Sequence, residues 1–69
     1  MRISARNILE GKIIAIKKGA TTSHIQIDIG GPIVMAAITN EAVDDLGLKV
    51  GEKAAAVIKS SDVMVAVND

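Results

Sequence analysis

Two short stretches carry the side chains with which this sequence could do chemistry. In the stretch Val57-Ile58-Lys59-Ser60-Ser61-Asp62-Val63-Met64-Val65, a polar insert separates two apolar runs. Lys59 brings a positive charge and three N–H donors, while Ser60 and Ser61 bring two hydroxyls and their backbone amides. Near the start, Ser4-Ala5-Arg6-Asn7 adds a guanidinium, another hydroxyl and a side-chain amide. If Ile3 to Arg6 is extended, Arg2, Ser4 and Arg6 share one face, and Ile3 and Ala5 the other. Such an inventory of donors suits an oxyanion, which offers only acceptors. It suits a turn between strands as well, because Ser and Asp hydrogen-bond to nearby backbone. From the insert alone, both readings stand.

Other chemistries find less support. His24 is the only histidine and the one candidate for a catalytic base, and it sits in an alternating stretch where a solvated strand face accounts for it. Asp44 and Asp45 are adjacent on a helical segment, so their carboxylates point in different directions. Lys17-Lys18 reads as a solvated turn. No nucleophile stands beside a base and an orienting group, so no enzyme is expected. Eight basic and eight acidic residues give a formal net charge of zero, and there is no Phe, Tyr or Trp. Single-stranded nucleic acid is held by aromatic stacking above a positive groove, and this chain supplies neither. One His and no Cys make a zinc cluster improbable. The apolar runs fall far short of the ~20 residues that a membrane span needs. No basic segment leads into an apolar stretch at the N-terminus, so no signal peptide is expected and the default location is the cytoplasm.

The elements that must position these residues follow from periodicity. Glu10 to Gly19 reads as a strand with Ile14 and Ile16 on one face and Gly11 as a bulge or bend. Thr21 to Ile29 alternates, with Ile25, Ile27 and Ile29 opposite His24, Gln26 and Asp28. Gly30-Gly31-Pro32 punctuates a turn. Ile33 to Ile38 is a third strand. Thr39 to Gly47 is a short helix, with Thr39 or Asn40 as its cap, Val43 and Leu46 as its apolar stripe and Gly47 as its left-handed stop. Lys53 to Lys59 and Val63 to Val67 complete five strands. The expected fold is all-β with one short helix, in the order β-β-β-α-β-β of the five-stranded Greek-key barrel known as the OB-fold. One domain over residues 1–69 is expected. A chain of 69 residues buries only about 60% of its unfolded surface. Without disulfides or aromatic residues, association with other copies is the remaining source of stability.

Ser-Ala-Arg-Asn near the start, Ala-Ile-Thr before a helix ending Leu-Gly, and Val-Ile-Lys-Ser followed by Asp-Val-Met together resemble the molbindins. These small molybdate- and tungstate-binding proteins are also called Mop proteins. The likeness runs from Ile3 to Val67. It implies an OB-like barrel assembled as a homo-hexamer, a trimer of dimers, with oxyanions held between subunits and no cofactor. It also implies Ser4, Ala5, Arg6, Thr39, Lys59 and Ser60 as oxyanion-binding positions, Ala5 through its backbone amide. A second class of site is placed at Gly19, Ala20 and Ser61, which no motif fixes. The polar run Thr21-Thr22-Ser23-His24 and the stiff Gly30-Gly31-Pro32 loop depart from the family pattern outside these positions. The implied function is reversible molybdate or tungstate binding for storage and homeostasis. Its rival is an accessory module that docks on a molybdate regulator or transporter, with anion binding secondary.

Overall fold

The computed structural model describes residues 2–68. Its elements are strands β1 (Asn7–Lys18), β2 (Thr22–Asp28) and β3 (Ile33–Thr39), helix α1 (Asn40–Leu46) and strand β4 (Lys53–Ile58), followed by a 3-10 turn over Ser60–Asp62. The four strands form one antiparallel sheet in the order β3-β2-β1-β4, which leaves β3 and β4 as free edges.

The long strand β1 divides its length between two neighbours. Asn7 to Lys12 pair with β4, from Asn7↔Ile58 to Lys12↔Lys53. Lys12 to Lys18 pair with β2, from Lys12↔Asp28 to Lys18↔Ser23. The register shifts between Ile13 and Ala15, so Ile14 is an extra residue opposite β2. An extra residue turns the side chains beyond it to the opposite face. Leu9 and Ile13 therefore face the core before the bulge, and Ile16 faces it afterwards. The expectation that Ile14 and Ile16 share a face fails for Ile14, which is 39% exposed. The irregularity expected at Gly11 lies at Ile14 instead. Gly11 answers a different need: a Cβ there would sit 2.3 Å from the Asp28 carbonyl oxygen, so the closeness of β2 excludes any side chain.

The core is aliphatic and small. Ile13, Ile25, Ile27, Val43 and Ala56 are its buried hydrophobic members. On β2 the expected alternation holds, with Ile25 and Ile27 inward and His24 outward. The inward face also takes Ser23, which is completely buried. Thr39 is the helix cap, its Oγ1 accepting from the Ala42 N–H at 3.1 Å. Gly47 ends the helix in the left-handed region, with φ 64° and ψ 37°. Leu46 is 69% exposed, so the expected stripe reduces to Val43. Between helix and β4, the chain is tied to the bulge. The Ile13 N–H donates to Glu52 O at 2.9 Å and Gly51 N–H donates to Ile13 O at 2.8 Å.

Asn40 fastens the helix start to the β1–β2 turn. Its N–H donates to Thr21 O at 2.9 Å, and its side-chain amide donates to Gly19 O at 3.1 Å. Its Oδ1 accepts from the buried Ser23 hydroxyl. At the next turn, Asp28 Oδ1 accepts from the N–H groups of Gly30 and Gly31 at 2.9 and 3.0 Å. Both glycines have positive φ, 105° and 134°.

The expected fifth strand does not form within the chain. After β4, Asp62 N–H donates to Lys59 O at 2.9 Å and closes the 3-10 turn. The backbone then leaves extended at Val63, with φ −93° and ψ 125°. Residues 63–68 are exposed and pair with no strand of this chain. An extended segment can join a ladder only where its N–H and C=O groups find a partner edge.

Two outcomes follow from these contacts. Asn40→Ala leaves the Ser23 hydroxyl buried without an acceptor, and urea denaturation should show a loss of about 1–3 kcal/mol. Adding Ser23→Ala should recover part of that loss, since an absent hydroxyl has no bond to miss. For Asp28, the Gly31 and Gly30 N–H bonds hold its carboxyl below the ordinary 3.8. A depressed folded pKa stabilises above the unfolded value and is lost as pH falls through the folded one. The gap in urea midpoint between wild type and Asp28→Asn should therefore be full at pH 5 and close progressively below pH 3.8.

Candidate functional site

The β1–β4 ladder brings the two donor-rich stretches to one end of the sheet. Its outermost pair is Asn7↔Ile58, and the residues next outward are Arg6 and Lys59. The Asn7 side-chain amide donates to Ile58 O at 3.2 Å and pins the strands together there. Asn7 thus has a definite task that sequence reading left unassigned, although a polar residue opening an apolar strand was a visible signal. Ser4, Arg6, Lys59, Ser60 and Ser61 are exposed, and Ala5 is half-buried. Ser60 and Ser61 open the 3-10 turn, where the first N–H groups have no acceptor inside the turn. The turn reading and the donor reading therefore describe the same residues: the turn leaves the Ser60 and Ser61 amides without a partner inside it.

The acidic Asp62 shares the turn with Lys59, but it forms no ion pair with the described residues there. Among the described residues the one ion pair is Lys18 with Asp44, at 3.3 Å on the exposed helix side. Neither Arg6 nor Lys59 has a carboxylate partner among those residues. An exposed cation without a carboxylate keeps all its donors available to a ligand.

Thr39, Gly19 and Ala20 lie elsewhere. Thr39 pairs with Thr22 at the start of β2, and Gly19 N–H donates to Thr22 O at 2.8 Å. This places them at the far end of β1, where Lys18↔Ser23 ends the ladder. At about 3.3 Å per residue, the contour of β1 is on the order of 35 Å. No strand pairing or hydrogen bond joins the two groups. The ladder thus brings Arg6, and the Ser4-Ala5 stretch that precedes it in the chain, to the same end of the sheet as Lys59 and the turn that holds Ser60 and Ser61. The structure places Thr39 with Gly19 and Ala20 instead. The sequence grouping divided these residues differently, because motif matching carries no information about which end of a strand a residue occupies. Thr39 also has its Oγ1 engaged as the helix cap, which leaves its hydroxyl proton as the group free to donate.

The arrangement gathers hydrogen-bond donors of the kind an anion requires. Among the described residues there is no group of His, Cys, Asp and Glu that could ligate a metal ion directly. Residues 3–65 match the model of the TOBE domain family. The chain belongs to that family, and within it stands beside small molybdenum-binding proteins. It is 48% identical over 66 residues to molybdenum-pterin-binding protein 3 of Clostridium pasteurianum, covering 94% of this chain and 97% of that one. It resembles the solved structure of a molybdate-binding protein from Sporomusa ovata with a TM-score of 0.93 and 39% identity, covering 97% of this chain and all of the other. It also resembles ModG, described as a cytoplasmic molybdate-binding protein and solved with molybdate bound. There the TM-score is 0.88 and the identity 43%, over 93% of this chain and 46% of that one.

Proposed function

We propose that this protein binds molybdate or tungstate reversibly in the cytoplasm, between copies of itself, for storage and homeostasis. The observation that carries the reading is the cluster of Arg6 and Lys59 at the open end of the β1–β4 ladder, without a carboxylate partner among the described residues. A tetrahedral dianion offers only acceptors, and this cluster offers a guanidinium, an ammonium, hydroxyls and backbone amides. The relatives named as molybdate- or molybdenum-binding support the choice of anion. The protein acts by binding rather than by catalysis, and the metal enters as an oxyanion rather than as an ion ligated by the chain.

Sites between subunits account for the division of donors between two ends of β1. Ser4, Ala5, Arg6, Lys59 and Ser60 of one copy face the anion, and Thr39 is supplied by a neighbouring copy. Gly19 and Ala20 with Ser61 form the second class of site by the same logic, again from two copies. A closed homo-hexamer, built as a trimer of dimers, satisfies both classes by symmetry. Completion of a five-stranded barrel of OB type belongs to this assembly rather than to the isolated chain.

Competition calorimetry tests the anion. Molybdate and tungstate should bind with measurable heat, and sulfate should fail to displace either at comparable concentration. Monoprotonated phosphate should also compete poorly, since its proton meets only donors there. Sulfate displacing molybdate at equal concentration would contradict the specificity. Arg6→Ala and Lys59→Ala should each weaken molybdate binding by about 1.5–3 kcal/mol, the worth of a charge-assisted hydrogen bond. Lys17→Ala should leave it nearly unchanged, because Lys17 is an exposed, solvated cation that belongs to neither set of donors. Equal losses for Lys17 and Lys59 would point to a diffuse positive field instead of a site.

A further inference from the structure

Helix α1 is capped by Thr39, so the bonds that Asn40 makes serve another purpose. They run to three points around the β1–β2 turn: Gly19 O, Thr21 O and the Ser23 hydroxyl. A carbonyl can only accept, so the end of the Asn40 amide that meets Gly19 O must be its NH2 group. The other end is therefore Oδ1, and the Ser23 hydroxyl donates to it. Ser23 is fully buried on a face where β2 otherwise points isoleucines inward. Its hydroxyl holds the Asn40 amide in one orientation, which accounts for one polar residue of the run Thr21-Thr22-Ser23-His24.

The consequence falls on the next atoms along the chain. Gly19 C=O and Ala20 N–H belong to one peptide unit, which is planar and trans. In such a unit the oxygen and the hydrogen point in opposite directions. Fixing Gly19 O on Asn40 therefore aims Ala20 N–H away from Asn40. Ala20 is exposed, and among the described residues its N–H has no acceptor. Gly19 N–H is already engaged, because it donates to Thr22 O at 2.8 Å. A Cβ on Gly19 would lie 2.9 Å from that same oxygen, so the turn is too tight for a side chain there. Turn and helix are also joined by the Lys18–Asp44 pair at 3.3 Å. An exposed pair contributes little, and it holds a side chain rather than the peptide plane.

We infer that Asn40, seated by Ser23, is a positioning residue that aims the Ala20 N–H at an oxyanion in the second class of site. This rests on the functional reading above, which gives Gly19 and Ala20 to that class; the geometry narrows the donor to Ala20. Neither Asn40 nor Ser23 touches the anion. A peptide already held in one orientation loses less freedom on binding than one that must first be ordered.

The test uses two substitutions and protein labelled with nitrogen-15 at alanine. Asn40→Asp keeps an acceptor for Ser23 and the N–H for Thr21 O, but cannot donate to Gly19 O. Asn40→Ser removes the same donor without adding a charge. Without any oxyanion, the Ala20 amide of the wild type should be ordered, with an NMR order parameter of about 0.85. In both variants it should fall below about 0.6, while the Ala15 amide in β1 stays ordered and shows that each variant is folded. An Ala20 amide equally ordered in all three proteins would overturn the tie to Asn40. Molybdate is then titrated, with the Ala20 amide reporting the second class of site and the Ala5 amide the first. Both variants should raise the midpoint at Ala20 about tenfold, the worth of one well-aimed hydrogen bond, and leave that at Ala5 nearly unchanged. Equal shifts at both amides would mark Asn40 as support for the fold alone and overturn the positioning role. A shift confined to Asn40→Asp would assign the effect to charge and overturn it too. An Ala20 amide that loosens in the variants but ignores molybdate in the wild type would overturn the second class of site. The use of Ala20 for an oxyanion falls with it, while the tie that orders the turn stands by itself.

Discussion

The divided pairing of β1 is the constraint on which the rest of this structure depends. Strand β1 serves β4 over its first half and β2 over its second, and its alternation changes parity midway. The extra residue at Ile14 makes that change. Ile13 and Ile16 then both reach the core, and the sheet curls around them. The same region anchors the path from helix to β4, through Gly51 and Glu52 on the backbone of Ile13. The close approach of Asp28 O to Gly11 belongs to the same crossing of strands. Because β1 and β4 run antiparallel from Asn7↔Ile58, the start of the chain and the end of β4 must meet. The proximity of Arg6 and Lys59, far apart in sequence, is a product of that ladder.

The core is small for a chain of this length. Three isoleucines, one valine and one alanine are its buried hydrophobic members. At about 25 cal/mol per Å² of apolar surface removed from water, so few aliphatic side chains leave little margin over the entropy of ordering the chain. Meanwhile the apolar side chains beyond the 3-10 turn, Met64 and Val65 among them, stay in water. In the proposed assembly, burying them against a second copy offsets what the small core lacks. On that proposal folding, assembly and oxyanion binding form one linked equilibrium, since a ligand that binds only the associated native state stabilises it by mass action.

Much of this was legible in the sequence, and what was not has a physical reason. Strand β2 could be read because one half-buried face imposes strict alternation on Ile25 and Ile27. The helix could be read because Thr39 and Gly47 are side chains whose chemistry belongs at helix ends. The face of Ile14 could not, since a bulge changes parity without altering composition. Periodicity marked Val63–Val67 as a strand, and it has strand chemistry, but periodicity does not say which chain supplies the partner. Asn40 looked like an alternative cap because its other role depends on Ser23 being buried, a tertiary fact. The candidate donors were singled out by type and family pattern. Their division between two ends of β1 was not legible, because it follows from strand register alone.

The central claim is that one chain holds only part of each oxyanion site and that a neighbouring copy supplies the remainder. Native mass spectrometry of the protein in the presence of molybdate tests it most directly, because it weighs ligand and assembly together. The account requires molybdate on assemblies of several copies and none on the 7.1 kDa chain, at every dilution at which both are present. Molybdate retained by the single chain as firmly as by the assembly would contradict it.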